Sequence, residues 1–246
     1  MQWLKRIKRS IPHGWKVGLQ AARRWIRDYW SGDLQRFAIR TKSIEVGNWQ
    51  TRIQVEQELK PSAYSENKRH NLTIAAQQIE SVVIHPNQVF SFWSIVGPPS
   101  KKRGYLEGRA LMNDQLQAVV GGGLCQLSGL IYLLALQTDF EILERHSHSQ
   151  DIYTDETRFA PLGSDATVVY GYKDLRIQNR TTAPLRFQFE IQPNSITASI
   201  LAIRSIPKYS VEFLVDDRHP DKLVQTLRYL SPSQAPQVVQ RTVYAR

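Results

Sequence analysis

The clearest pattern lies late in the chain. In PLRFQFEI, Leu185, Phe187, Phe189 and Ile191 alternate with Arg186, Gln188 and Glu190. Successive side chains of an extended strand point to opposite faces, so this spacing predicts a strand with one apolar face. QPNS then supplies turn chemistry, and SITASILAI follows as the next strand. The same reading places strands at ATVVYGY, LRIQN, YSVEFLV, around LVQTLRYL and at VVQRTVYA, so the chain from Asp165 onward is β-rich. Upstream, FEILER reads as a strand and Ala110 to Val120 as a hairpin turning near Asn113-Asp114. SVVIHPNQVFSFW reads as extended segments broken at His85-Pro86-Asn87. TRIQVEQEL alternates too loosely to decide between helix and strand, and 36–48 has room for a short strand.

Helical spacing appears in three places. Asn71 is placed to cap a helix running to about Ser81, with Leu72, Ala75, Ala76 and Ile79 on one face. From about Cys125 to Gln137 the residues are apolar nearly all round, which predicts a buried helix. The third lies near the start. At about 100° per residue, Trp15, Leu19, Ala22, Ile26, Tyr29 and Trp30 gather on one face, and Lys16, Arg23, Arg24 and Arg27 on another. Two fates suit such a helix. Either its aromatic face docks on the protein's own core, or it lies on an anionic membrane surface, where Trp and Arg suit the interface.

Charge sharpens that picture. The chain has 32 basic and 22 acidic residues. Lys5, Arg6, Lys8, Arg9, Lys16, Arg23, Arg24 and Arg27 face Asp28 alone in the first stretch, so most of the excess belongs there. The rest shows no basic stripe and no nucleic-acid motif, and no nucleic-acid partner is expected. The longest apolar run, Leu130 to Leu136, is far short of the roughly 20 residues that a bilayer crossing needs. No apolar segment follows the basic start, so the expectation is a cytoplasmic chain, peripheral at the inner face of the membrane, without signal peptide. Three segments result: a basic amphipathic piece over 1–35, an α+β domain over 36–203, and a β-rich extension over 204–246.

The 246 residues include one cysteine, which excludes an internal disulfide and Cys-rich zinc motifs. That cysteine, Cys125, stands where VVGGGLCQLSG enters the buried helix. Free amides and the positive end of the helix dipole stabilise a thiolate there, and the same amides suit a developing oxyanion. The candidate donors and binding groups around it are Gly122, Gly123, Gln126 and Ser128. Downstream, ERHSHSQD presents His146 and His148 at a spacing that shares a face on extended backbone, and either is a candidate base. Asp165 or Asp151 is a candidate to orient the imidazole. A cysteine at the start of a buried helix, then histidine, then an orienting residue, is the layout of papain-like thiol enzymes. The same His146, His148 and Asp165 would hold a metal with Cys125 in an alternative reading, and a lone cysteine is often a small core residue. No cofactor motif is present.

Several ordered stretches then resemble one family. PNQVFSFWSIVGP, RGYLEGRALMNDQ, GGGLCQLSGLIYLLAL, EILERHSHS and GSDATVVYGYKDLRIQNRT are similar to successive motifs of the VanW family, named for an accessory protein of vancomycin-resistance gene clusters. The resemblance covers Asn71 to Glu190 and carries the motif positions Gly121, Gly122, Gly123, Cys125, Gln126, Ser128, His146, His148 and Asp165. It implies a connection to the cell envelope, with peptidoglycan or a precursor as the expected partner. Two readings stand at this point. One is cysteine-dependent acyl transfer by a peptidase, amidase or transpeptidase, and the other is a non-catalytic binding or scaffold protein. The expected fold is α+β: a buried central helix with the cysteine at its N-terminus, packed on a mostly antiparallel sheet, with a β-rich C-terminal half and the basic amphipathic helix.

Overall fold

The computed structural model describes residues 13–41, 49–112, 115–148, 160–217, 221–231 and 233–245. The basic stretch before Pro12, the Asn113-Asp114 turn and Asp151 lie outside the described residues. The described chain is a mixed α+β structure, helical early and β-rich late. Its helices are α1 (His13–Trp30), α2 (Asp33–Arg36), α3 (Ser65–Glu80), α4 (Phe92–Val96) and α5 (Leu124–Leu136).

The alternating stretches pair as their pattern demands. β8 (Leu185–Ile191) and β9 (Ser195–Ala202) form a hairpin, extended by β1 (Thr51–Glu58) on one edge and β2 (Val83–Ile84) on the other. A second sheet runs β3 (Val89–Ser91), β7 (Arg176–Asn179), β6 (Phe140–Glu144). β4 (Glu107–Met112) pairs with β5 (Gln115–Val120) in the expected hairpin. β10 (Ser210–Asp216), β11 (Lys222–Tyr229) and β12 (Gln237–Tyr244) form an antiparallel meander. The loosely alternating TRIQVEQEL resolves as strand because β9 offers it an open edge over its full length.

α5 lies in the core, with Leu124, Leu127, Leu130, Ile131, Leu134 and Leu136 all buried, and it packs against β1, β9 and α3. Each such side chain contributes about 1.5–3 kcal/mol when fully buried, which is what holds a helix of poor amphipathicity in place. Phe90, Phe140 and Phe187 meet beneath the sheets, with ring centroids 5.3 and 6.3 Å apart.

Four expectations need correction. α3 begins at Ser65, not at Asn71. Asn71 is fully buried mid-helix, and its amide bonds the Leu106 backbone in both directions and Gly122 O instead of capping. ATVVYGY forms no strand, only a bridge between Val169 and Lys173. Its backbone is claimed elsewhere, Ala166 O by the Ser128 hydroxyl and the Thr167 amide by His146 O. FSFW turns into α4, because the Ser91 hydroxyl caps it by accepting from Ser94 N.

The fourth correction concerns α1. It docks, but not through its aromatic face. Arg24 donates to Glu144 at 2.7 Å and to Tyr172 O, and Asp28 is gripped by both terminal nitrogens of Arg176 at 2.9 and 2.6 Å. Gly171 lies against Val17 and Ala21 of the same side. Polar complementarity therefore fixes the helix. The guanidinium of Arg176 also reaches Asp174, which is fully buried and accepts from the Ser91 hydroxyl and the Trp93 amide. Among the described residues, no helix is long and apolar enough to cross a membrane.

Candidate functional site

The entry into α5 is built from backbone contacts that only glycine permits. Gly122 lies on Gly108 so closely that a Cβ there would sit 2.2 Å from the Gly108 carbonyl carbon. Its amide donates to Val119 O and its carbonyl accepts from Asn71, so both backbone groups are engaged. Gly123 is the cap residue in the left-handed region, φ 103°, where an L side chain is strained. The chain thereby turns sharply out of β5, and Leu124 and Cys125 become the first residues of the helix. Their amides have no intrahelical acceptor, since a helix leaves its first amides unpaired.

Cys125 is half-buried, packed against the core at its inner side. Its sulfur lies 3.7 Å from Val168 O. The helix start is tied to that segment by Ser128, whose buried hydroxyl donates to Ala166 O and contacts Cys125 O. Ser128 therefore positions the segment carrying Asp165 beside the helix. Gln126 turns away: its side-chain nitrogen donates to Glu58 O at 3.1 Å and its amide to Gly123 O.

The two histidines part company. His146 Nε2 lies 2.9 Å from Glu144 Oε1, in the ionic cluster that anchors α1. His148 turns to Asp165, which accepts from both its backbone amide and its Nδ1 at 2.7 Å. Cys125 lies close enough to the same imidazole to favour its charged form. Cys125, His148 and Asp165 thus stand in a row, while His146 lies outside it. No group of three metal-ligating side chains is assembled among the described residues.

Asp165 is held from its far side. Its Oδ1 accepts from Arg145 at 2.9 Å and from the Tyr244 hydroxyl. Arg145, 1% exposed, also donates to Asp165 O, Gly163 O and the Thr242 hydroxyl, and stacks over Tyr132. Burial opposes the Asp165 charge, but the hydrogen bond from His148 and the Arg145 cation outweigh it and hold the carboxyl at about 2. Burial likewise opposes a charged His148. The Asp165 hydrogen bond, with Cys125 nearby and the Asp165 charge adding to it, outweighs it and raises the imidazole to about 9. For Tyr244, burial and the neighbouring carboxylate push the phenol up, so it stays a donor.

Sequence reasoning missed three contributors. Arg145 sits inside ERHSHS, and its place between two expected site residues was the available signal. Tyr244 comes from β12 and had none. Lys68 on α3 runs its stem past Gly123, and burial, then the nearby Arg109 cation, lower its pKa. Lys68 therefore lies against the glycine turn.

The profile of the family described as "VanW like protein" matches residues 67–201, more than half of the chain. The chain belongs to the VanW-like family. It is 31% identical over 139 residues to the vancomycin B-type resistance protein VanW of Enterococcus faecalis, covering 56% of this chain and 50% of that one. It is 28% identical over 151 residues to the uncharacterized protein YoaR of Bacillus subtilis, covering 58% and 48%. This VanW-like chain thus spans about half the length of the curated relatives it matches. No solved structure matches it. The row Cys125, His148, Asp165 and the glycine turn all fall inside the matched region. Tyr244 and Thr242 fall outside it.

Proposed function

We propose that this VanW-like protein is a cysteine-dependent acyl-transfer enzyme of the cell envelope, with Cys125 as nucleophile, His148 as acid and base, and Asp165 as the group that orients it. One observation carries the reading: the His148 imidazole is bonded to Asp165 and has Cys125 close enough to favour its charged form, at the N-terminus of a buried helix. The engagement of His146 with Glu144 favours His148 as the base.

The chemistry is as follows. The Cys125 sulfur attacks the acyl carbon of an amide or ester, and its electrons form the C–S bond while the carbonyl oxygen takes the negative charge. The amides opening α5 donate to that oxygen. His148, charged in the resting pair, gives its proton to the departing amine or alkoxide as the carbonyl re-forms. The neutral imidazole then takes a proton from water or an acceptor amine, which attacks the thioester and releases Cys125. Water gives hydrolysis, and an amine gives transpeptidation. Family context and Lys68 beside the turn favour an acyl donor carrying carboxylates, as peptidoglycan peptides do.

Because Cys125 is the sole cysteine, alkylation by iodoacetamide reads it alone. At about pH 6, where a free thiol near 8.5 is almost wholly protonated, the wild type is expected to alkylate readily. His148→Ala should slow it at least about tenfold, and His146→Ala should leave it within about twofold. Slow native alkylation that rises only on unfolding would refute the enzyme reading and leave the binding or scaffold protein.

A further inference from the structure

We infer that α1 is a membrane-surface helix, held to the protein by its polar face so that its aromatic face is presented to an anionic lipid bilayer. The inference is independent of the chemistry at Cys125.

The argument starts from how α1 is attached. Its inward stripe is Val17, Gln20, Ala21, Arg24 and Asp28, spaced three or four apart, and Asp28 is 4% exposed. An amphipathic helix that served only the fold would turn its apolar stripe to the core. Here the opposite holds. Trp15, Trp30, Tyr29 and Ile26 are 73%, 81%, 60% and 50% exposed. On the helical wheel they centre about 180° from the docked stripe. Trp25 stacks on Tyr29 at 5.7 Å, and Tyr29 meets Trp30 edge-on, so the rings form one outward cluster. The Asp28–Arg176 and Arg24–Glu144 pairs prevent the helix from rolling over to hide it.

The identity of the partner follows from what surrounds the rings. Lys16, Arg23 and Arg27 lie on one flank, at about 80–120° from Trp15. Arg23 and Arg27 are exposed, and the one carboxylate of α1, Asp28, is buried and bonded to Arg176, with Arg27 Nε 3.7 Å from it. Tryptophan and tyrosine sit at the level of lipid headgroups, and the cations beside them pair with lipid phosphates. A second protein would meet the rings with apolar side chains, but would have to bring acidic groups for the flank. An anionic bilayer supplies both layers at the depth this helix presents them.

The test uses the full chain and vesicles of phosphatidylcholine, with or without phosphatidylglycerol, in a sedimentation assay. Binding is expected to the phosphatidylglycerol-containing vesicles and to weaken as salt rises. Trp15→Ser with Ile26→Ser and Trp30→Ser should reduce the partition coefficient by at least about tenfold. Lys16→Gln with Arg23→Gln and Arg27→Gln should bring it down towards the level on neutral vesicles. All six positions are outside the core, so unchanged thermal unfolding midpoints check the fold. No binding by the wild type would overturn the inference. So would undiminished binding by the serine variant, which would move the contact to another part of the chain. A dimer abolished by the same serine changes, with no vesicle binding, would overturn it in favour of a second copy.

Discussion

Asp165→Asn tests the row of side chains most directly. The substitution removes one charge and turns one acceptor oxygen into a donor. In the wild type both oxygens are taken, Oδ2 by the amide and Nδ1 of His148, Oδ1 by Arg145 and Tyr244. Whichever way the asparagine is turned, its NH2 group meets donors, and half of those bonds are lost. Arg145 also loses its facing carboxylate while 1% exposed. Stripping one partner from a buried pair costs about 3–5 kcal/mol. Here Gly163 O, Asp165 O and Thr242 still accept from the guanidinium, which puts the loss near the lower end, about 3 kcal/mol. The depressed carboxyl gives a separate figure: from 3.8 down to about 2, the free energy is about 2 kcal/mol. A carboxyl whose folded value lies below its unfolded one stabilises the fold above the unfolded value. That contribution is lost as pH falls through the folded value. The gap between wild type and variant should therefore be full near neutrality and shrink between about pH 4 and about pH 2. Urea unfolding across that range measures it. A gap under about 0.5 kcal/mol near neutrality, or one that does not shrink in acid, would refute the assigned geometry.

Two further substitutions have defined outcomes. Gly122→Ala should destabilise the protein by about 3 kcal/mol or more, since the new methyl collides with the Gly108 backbone and no flexible side chain is there to yield; an unfolding midpoint within experimental scatter of wild type would contradict that packing. Asp28→Ala leaves Arg176 with Asp174 and Glu144 as its counter-ions, so global stability should fall by only about 1–2 kcal/mol, but α1 should detach. Limited trypsinolysis should then cut at Arg23, Arg24 or Arg27 much faster, and an unchanged digestion pattern would show that α1 is anchored by other contacts.

What the sequence made legible was what rests on local periodicity. The strict alternation of PLRFQFEI, the all-round apolar run after Cys125 and the β4–β5 hairpin each specify their element without help from the rest of the chain. The stretch ATVVYGY misleads because Ser128 and His146 occupy its backbone groups. Residue identity alone does not reveal that competition. The start of α3 was obscured because Asn71, a good cap by type, is used to tie α3 to the β4–β5 hairpin. At the site, Cys125 and Asp165 stood out by position, but the choice between two histidines two residues apart depends on Glu144, which captures one of them. For α1 the wheel identified both faces correctly. It could not say which one docks, because the deciding partner, Arg176, comes from the distant strand β7.

The support around Asp165 also sets an order of events. The bonds from Arg145 to Thr242 and Tyr244 join residues 97 and 99 positions apart, and Tyr244 reaches Asp165 across 79. Closing loops of that length precedes any gain from the contact, so such contacts form late on the path to the native state. The glycine turn and α5 are local and can form early, and β12 must dock before Asp165 acquires its full set of donors. During folding the thiol therefore exists for a time without its fully buttressed imidazole. Partly folded chains carry an Asp165 short of these donors, and the His148–Asp165 pair is fully supported only when the meander has closed over it.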